Sequence, residues 1–118
     1  MNERILMWND FFSGTLGANV TRYLEFPVPV KFVGAKAWAS NDSSATLALS
    51  GANTMSIAAQ AIGDSGDPAY IQPTAAEKAS TASEAADGLI TLTLDYDGAS
   101  GTAAENVGVQ LFFLYGDD

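Results

Sequence analysis

The clearest alternation of apolar and polar side chains in this chain falls in residues 89–96. One face of the segment carries Ile90, Leu92, Leu94 and Tyr96, and the other carries Thr91, Thr93 and Asp95. A period of two is typical of a β-strand with one face in the core and one in water. The segment therefore predicts a half-buried strand.

A second strand, predicted over residues 107–115, is apolar on both faces. Its core face is expected to hold Val107, Val109, Leu111, Phe113 and Tyr115, while Phe112 and Leu114 lie on the opposite face. The outer face of an antiparallel sheet is normally polar because water covers it. We therefore expect another sheet or another subunit to cover Phe112 and Leu114.

Residues 5–12 are also apolar on both faces when they are placed in strand register. Two interpretations remain open: a first strand buried in the protein's own core, or an extended arm, joined flexibly at Ser13 and Gly14, that docks on a neighbour. The sequence predicts a subunit or capsid interface formed by Ile5, Leu6, Met7, Trp8, Phe11, Phe12, Phe112 and Leu114.

Proline, glycine and asparagine divide the middle of the chain into further short strands. Residues 20–26 predict a strand at a sheet edge, because Pro27 and Pro29 break any central ladder directly afterwards. Residues 31–40 predict a long strand in which Gly34 marks a bulge or bend.

The next segments continue the pattern of strands and turns. A turn at residues 41–44 predicts a hairpin between the preceding strand and residues 45–50. Residues 54–62 fit a strand or a helix, and the regular spacing of the hairpins favours the strand.

One helix is predicted after Thr74. Thr74 and Glu77 match the capping box, in which the threonine hydroxyl accepts the Glu77 N–H and the Glu77 carboxylate accepts the Thr74 N–H. A stop is expected at residues 87–88. The predicted helix buries little, because its apolar face consists only of Ala75, Ala79, Ala82 and Ala86, so we expect it to be short and peripheral.

At least six short strands and at most one short peripheral helix predict an all-β fold, a jelly-roll-like β-sandwich. Residues 1–19 are assigned to an N-terminal arm and residues 20–118 to a single sandwich domain. The chain has 118 residues, enough for one domain with a modest core.

Composition argues against catalysis. The chain has no His and no Cys, so the commonest general base, zinc ligands and thiol nucleophiles are missing. We expect a non-enzymatic protein without a cofactor.

The net charge of −9 argues against binding nucleic acid or an anionic membrane. Because the sequence shows neither a signal peptide nor a run of about 18 apolar residues, synthesis in a host cytoplasm is expected.

Two further groups of residues are candidates for binding sites. Asp64, Asp67, Asp95 and Asp97 could converge on a cation, but the calcium-loop spacing that starts at Asp95 fails at three later positions, so turn formation is favoured and no metal is predicted. The second group, Trp8, Trp38 and Tyr70, could form a sugar platform. For Trp38, which lies between alanines, a position in the core is favoured.

Three segments together resemble a group of small phage structural proteins. They cover residues 23–35 (YLEFPVPVKFVGA), 41–47 (NDSSATL) and 92–107 (LTLDYDGASGTAAENV), and the loop at residues 61–68 (AIGDSGDP) is also similar. The resemblance spans about residues 20–115 and leaves out the N-terminal arm. In size and strand pattern the chain is similar to capsid decoration (cement) proteins, which are often small β-sandwiches on capsid symmetry axes.

The resemblance implies a head decoration protein on the capsid surface of a virion. Its expected partners are the phage major capsid protein and further copies of the chain, with a trimer as the first expectation. No catalytic or binding residue carries over from the resemblance. The alternative is a tail or fibre receptor-binding module that recognises carbohydrate.

Overall fold

A computed structural model describes residues 3–64 and 66–116. These residues form ten strands and one short helix of six residues. The elements are β1 (Glu3–Thr15), β2 (Val20–Leu24), β3 (Val30–Ala39), β4 (Thr46–Gly51), β5 (Ser56–Ala61), β6 (Gly63–Asp64), β7 (Ala69–Ile71), α1 (Ala75–Ser80), β8 (Ser83–Glu84), β9 (Ile90–Asp95) and β10 (Glu105–Gly116).

The strands form two sheets. The first sheet has the order β1-β10-β3, and the short strands β6, β7 and β8 all pair with the far side of β3. The second sheet has the order β2-β9-β4-β5. When β6, β7 and β8 are counted together as the sixth strand, β9 becomes the seventh and β10 the eighth. The two sheet orders are then 1-8-3-6 and 2-7-4-5, which is the double Greek key of a jelly roll. The predicted all-β, jelly-roll-like sandwich is confirmed.

The core lies between the inner faces of the two sheets. Ile90, Leu92 and Leu94 of β9 are fully buried, as their alternation predicts. On β10, Val107, Val109, Leu111 and Phe113 are buried as well. The Phe113 ring lies 5.3 Å from that of Phe26 and 5.8 Å from that of Phe32, both in tilted geometries that favour aromatic contact.

Residues 5–12 belong to β1, which pairs antiparallel with β10. Of the two interpretations of this segment, the structure therefore shows the first strand. Phe12 is buried, and Leu6 and Trp8 pack against the core. The alternate side chains of β1 point out of the sandwich.

The register of β3 against β10 shifts by one residue between Phe32 and Gly34, which confirms the bulge predicted at Gly34. Ala35, Ala37 and Ala39 consequently face the core and are fully buried. The expected core position of Trp38 is wrong. Because alternate residues of a strand face opposite sides, burial of the alanines places Trp38 on the outer face, where it is half-buried.

The predicted hairpin across residues 41–44 is also wrong, because β3 lies in the first sheet and β4 in the second. Asn41 explains the crossing. Its amide nitrogen donates to the Ala103 carbonyl (2.9 Å), and its amide oxygen accepts the Glu105 N–H (2.9 Å). The turn is thus fixed to the segment that leads into β10. The alternative of a strand in residues 54–62 is confirmed by β5.

The capping box of α1 is present, but the helix ends earlier than predicted. The Glu77 N–H donates to the Thr74 hydroxyl (3.2 Å), and the Thr74 N–H donates to the Glu77 carboxylate (2.8 Å). The helix stops at Ser80 rather than near Ala86. The Phe32 N–H bonds the Ala82 carbonyl (2.8 Å), so pairing with β3 draws the following residues into β8.

Candidate assembly surface

Several large apolar side chains are exposed on the outward face of the first sheet. Ile5, Met7 and Phe11 of β1 are 60%, 53% and 58% exposed. They alternate with the inward residues Leu6 and Trp8, so the strand is apolar on both faces, as its sequence indicates. We call this surface, formed by the outward residues of β1, β10 and β3, the outer face.

Neighbouring strands extend the apolar area of the outer face. Phe112 stands opposite Met7, and Leu114 stands opposite Ile5. Both are half-buried, because the side chains on the adjacent strands shield their flanks. Five of the eight predicted interface residues therefore lie together on one surface: Ile5, Met7, Phe11, Phe112 and Leu114.

The other three predicted interface residues lie on the inner face of β1. Phe12 is only 6% exposed, and the Arg22 guanidinium lies 4.7 Å from the centre of its ring. Arg22 also pairs with Asp10 (Nε to Oδ2, 3.0 Å), so this contact joins the edge strands of the two sheets. Leu6, Trp8 and Phe12 thus close the protein's own sandwich.

Two glycines on the outer face are covered by aromatic rings. Gly108 lies beneath Trp38, and a Cβ atom there would collide with the indole. Gly34 lies beneath Tyr70, whose hydroxyl would stand 2.8 Å from such an atom. An aromatic ring laid across a glycine restores the packing that the missing side chain leaves open.

The structure separates the three residues proposed for a sugar platform. Trp38 lies on the outer face, and Tyr70 of the adjacent strand β7 points to the same side of the sheet, whereas Trp8 points inward. Phe11 completes an aromatic row, because it lies opposite Gly108 on one side and Trp38 lies opposite Gly108 on the other. Sequence reasoning missed this row, since cross-strand register brings together residues that are distant in the chain.

The outer face also differs in charge from the rest of the molecule. The chain carries 14 acidic and 5 basic residues. Within the described strands, the outward positions of residues 5–11, 31–38 and 108–114 hold Lys31 and Lys36 but no Asp or Glu. Lys31, Lys78 and Leu114 line a shallow depression at one border of the face. The outer face is thus an apolar surface with neighbouring lysines on a molecule that is acidic overall.

The outer edge of β1 is a second feature that sequence reasoning missed. The strand has 13 residues and pairs only with β10 among the residues that the structure describes. The Phe11 N–H donates to the Asp10 carboxylate (2.8 Å) and so points away from β10. Since N–H direction alternates along a strand, the amides of Ile5, Met7 and Asn9 share that direction.

Three of the four candidate cation ligands accept hydrogen bonds within turns. Asp64 accepts the Gly66 and Asp67 N–H groups (both 2.9 Å). Asp97 accepts the Ala99 N–H (3.0 Å), and Asp95 accepts the same group at 3.3 Å. Residues 3–64 and 66–116 contain no group of three metal-ligating side chains close enough to share an ion.

A buried carboxylate, Glu84, lies away from the outer face and is 2% exposed. Its oxygens accept the N–H groups of Asn53, Thr54 and Met55 (2.9 Å each) and the Asn53 side-chain amide (2.8 Å). Burial is the largest influence on the Glu84 pKa and raises it, but the hydrogen bonds together outweigh burial, so the pKa lies below its ordinary value. The carboxylate organises the turn between β4 and β5.

Comparison of the chain with models of protein families, with curated proteins and with solved structures finds no match. Within the described part of the chain, no helix is both long and apolar enough to cross a membrane.

Proposed function

We propose that this chain is a non-enzymatic virion structural protein, a head decoration protein that self-associates and binds the phage major capsid protein at the capsid surface. The observation that carries the proposal is the outer face, where Ile5, Met7 and Phe11 are exposed beside Phe112 and Leu114. Contiguous apolar surface of this kind on a folded protein marks a site of association.

The fold and the charge support the same proposal. Jelly rolls occur in viral capsid proteins, although a fold alone does not determine function. The net charge of −9 keeps the free protein soluble while the outer face remains apolar. At about 25 cal/mol per Å², covering a few hundred Å² of apolar surface contributes several kcal/mol. Repetition on a capsid lattice multiplies such a contact through avidity.

The test uses capsids of the phage that encodes the chain, prepared without this protein, and adds the purified protein to them. Co-sedimentation is measured for the native chain, for Phe11→Lys and for Tyr23→Lys. Tyr23 is the matched control, because it is 65% exposed but lies on β2 in the second sheet. We expect saturable binding that Phe11→Lys weakens by at least about tenfold, equivalent to about 1.4 kcal/mol, and that Tyr23→Lys leaves unchanged.

Two results contradict the decoration proposal. Equal loss of binding in both variants indicates a general charge effect and not a contact through the outer face. Absence of the native chain from the head, with labelled protein found at the tail instead, favours the alternative function.

That alternative is a tail or fibre receptor-binding module that recognises carbohydrate. The aromatic row of Phe11 and Trp38 favours it, because flat rings stack on sugars, and the adjacent row offers polar groups from Asn9, Gln110 and Lys36. Glycan-array binding that disappears in Tyr70→Ala and Trp38→Ala but persists in Tyr23→Ala is the result expected for this function.

A further inference from the structure

The edge of β1 lacks the features that usually prevent strands from pairing between molecules. Proteins protect sheet edges with short strands, prolines, charged side chains or a covering segment. β1 is 13 residues long, and its stretch from Ile5 to Asn9 contains neither proline nor charge. This stretch also borders the exposed apolar side chains of the outer face.

The other sheet edges carry such protection. At β5, the Ser56 N–H donates to the Thr81 carbonyl (2.8 Å), and the Ala58 N–H donates to the Glu77 carboxylate (2.8 Å). β2 has five residues and is followed by Pro27 and Pro29. The far side of β3 meets three strands of two or three residues each. β1 is the exception.

Charge complementarity points to a second copy as the occupant. When two β1 strands run antiparallel around a two-fold axis at Met7, Arg4 of each copy stands opposite Asp10 of the other. Both residues lie on the same side of β1, since both are even-numbered positions of one strand. Arg4 is exposed, and Asp10 already binds Arg22, so each Asp10 would lie between two guanidinium groups.

We propose that β1 pairs with β1 of a second copy of the chain, antiparallel and centred on Met7. The inference deepens the self-association in the proposed function and rests on it. In this register the outward amides and carbonyls of Ile5, Met7 and Asn9 bond those of Asn9, Met7 and Ile5 in the other copy. The two first sheets become one continuous sheet, and their outer faces join into a single apolar surface.

The register is tested with single cysteines, because the chain has none of its own. Met7 meets Met7 of the other copy in a hydrogen-bonded pair, whose Cα atoms lie about 5.5 Å apart, within the range for a disulfide. In Asn9→Cys the two cysteines are displaced by four residues, about 13 Å along the strand, which is too far. Tyr23→Cys controls for random oxidation at an exposed site.

We expect mild oxidation to cross-link Met7→Cys into a dimer and to leave Asn9→Cys and Tyr23→Cys uncross-linked. The mixture of Ile5→Cys with Asn9→Cys is expected to give the heterodimer, because these positions face each other. Equal cross-linking of Asn9→Cys or Tyr23→Cys overturns the register.

A second variant tests the hydrogen bonds of the edge. Asn9→Pro removes an amide that points away from β10, so the fold is expected to persist while light scattering falls from the mass of two chains to that of one, 12.3 kDa. Circular dichroism monitors the fold. A folded Asn9→Pro that remains dimeric overturns the proposal.

Failure of the edge contact and failure of the proposed function give different results. A mass of three copies without the Met7→Cys disulfide overturns edge pairing but leaves decoration intact, since another surface then joins the copies. A native chain that stays monomeric at millimolar concentration also overturns edge pairing. Decoration itself is overturned by separate measurements, namely failure of the native chain to bind capsids or its location at the tail instead of the head.

Discussion

Glu84 shows how one buried side chain fixes a turn. Four donors surround its carboxylate, and Gly51 and Gly88 leave room for the oxygens where a Cβ atom would collide with them. A buried charge without a basic partner is costly unless hydrogen bonds satisfy it, and charged acceptors form the stronger bonds. The stability of the folded protein therefore depends on the ionised form of Glu84.

We predict that Glu84→Gln destabilises the protein by roughly 2–4 kcal/mol, because the new amide group turns a donor toward backbone donors. Chemical denaturation measures the change in the free energy of unfolding. Glu25→Gln is the control, since it removes the same charge from an exposed position. A loss of stability as large in Glu25→Gln contradicts the role assigned to the four hydrogen bonds.

The same carboxylate predicts a dependence on pH. Because folding lowers the Glu84 pKa below its ordinary value of 4.5, the stabilisation is fully present above that value and is lost as the pH falls through the lower, folded-state pKa. The difference in stability between the native chain and Glu84→Gln should therefore shrink upon acidification below about pH 4.5. A difference that stays constant from pH 7 to pH 3 contradicts this expectation.

At the scale of elements, α1 protects an edge rather than filling the core. None of its residues is buried, yet Glu77 accepts both the Thr74 N–H at the start of the helix and the Ala58 N–H of β5. The Ala58 amide is the largest influence on the Glu77 pKa and lowers it, and the Thr74 hydrogen bonds lower it further against the effect of burial. One side chain thus joins the helix to the second sheet.

We predict that Glu77→Ala accelerates hydrogen exchange at the Ala58 amide by at least about tenfold and lowers stability by about 1 kcal/mol. Both effects follow from the loss of the carboxylate that caps the helix and the strand edge. Lys78→Ala, at the next position of the same helix, is the control. Unchanged exchange at Ala58 in Glu77→Ala contradicts the edge-protecting role.

The sequence predicts a strand and its buried face correctly where one local pattern determines both. The alternation in β9 places Ile90, Leu92 and Leu94 in the core without any other information. The side of Trp38 depends instead on the one-residue bulge before it, and the partner of β4 depends on bonds between Asn41 and residues 103–105. Such features arise from contacts between distant parts of the chain, which periodicity cannot reveal.

The candidate surface was predictable to a similar extent. Apolar composition on both faces identified β1 and β10 as strands, and the core face predicted for β10 is buried. For β1, composition could not divide the residues between inside and outside. The fold makes that division by turning Phe12 inward and Phe11 outward. The free edge had no sequence signal, because whether a strand is central or lateral follows from the strand order of the whole sheet.

The whole molecule carries excess negative charge, with net charge −9. We predict that sodium chloride raises the melting temperature by a few degrees between about 20 and 200 mM, because salt screens repulsion beyond about 10 Å. Differential scanning fluorimetry measures this shift. A melting temperature that falls over this range contradicts self-repulsion as a destabilising influence.

Calcium is expected to give no stabilisation beyond that of sodium chloride at the same ionic strength, because Asp64, Asp95 and Asp97 bind backbone amides in their turns. The same thermal measurement with millimolar calcium checks this prediction. A calcium-specific rise in melting temperature that Asp97→Ala abolishes would instead indicate a cation site.

The pairing of β1 with β10 also sets the order of events when the chain is made. Glu3 stands opposite Gly116 and Phe12 opposite Val107, so β1 can pair in the sheet only after β10 has been synthesised. Until synthesis reaches β10, the apolar residues of β1 have no partner strand in the sheet. The first sheet can therefore close only after β10 has been synthesised, and until then β1 is an extended apolar segment of the kind that chaperones hold.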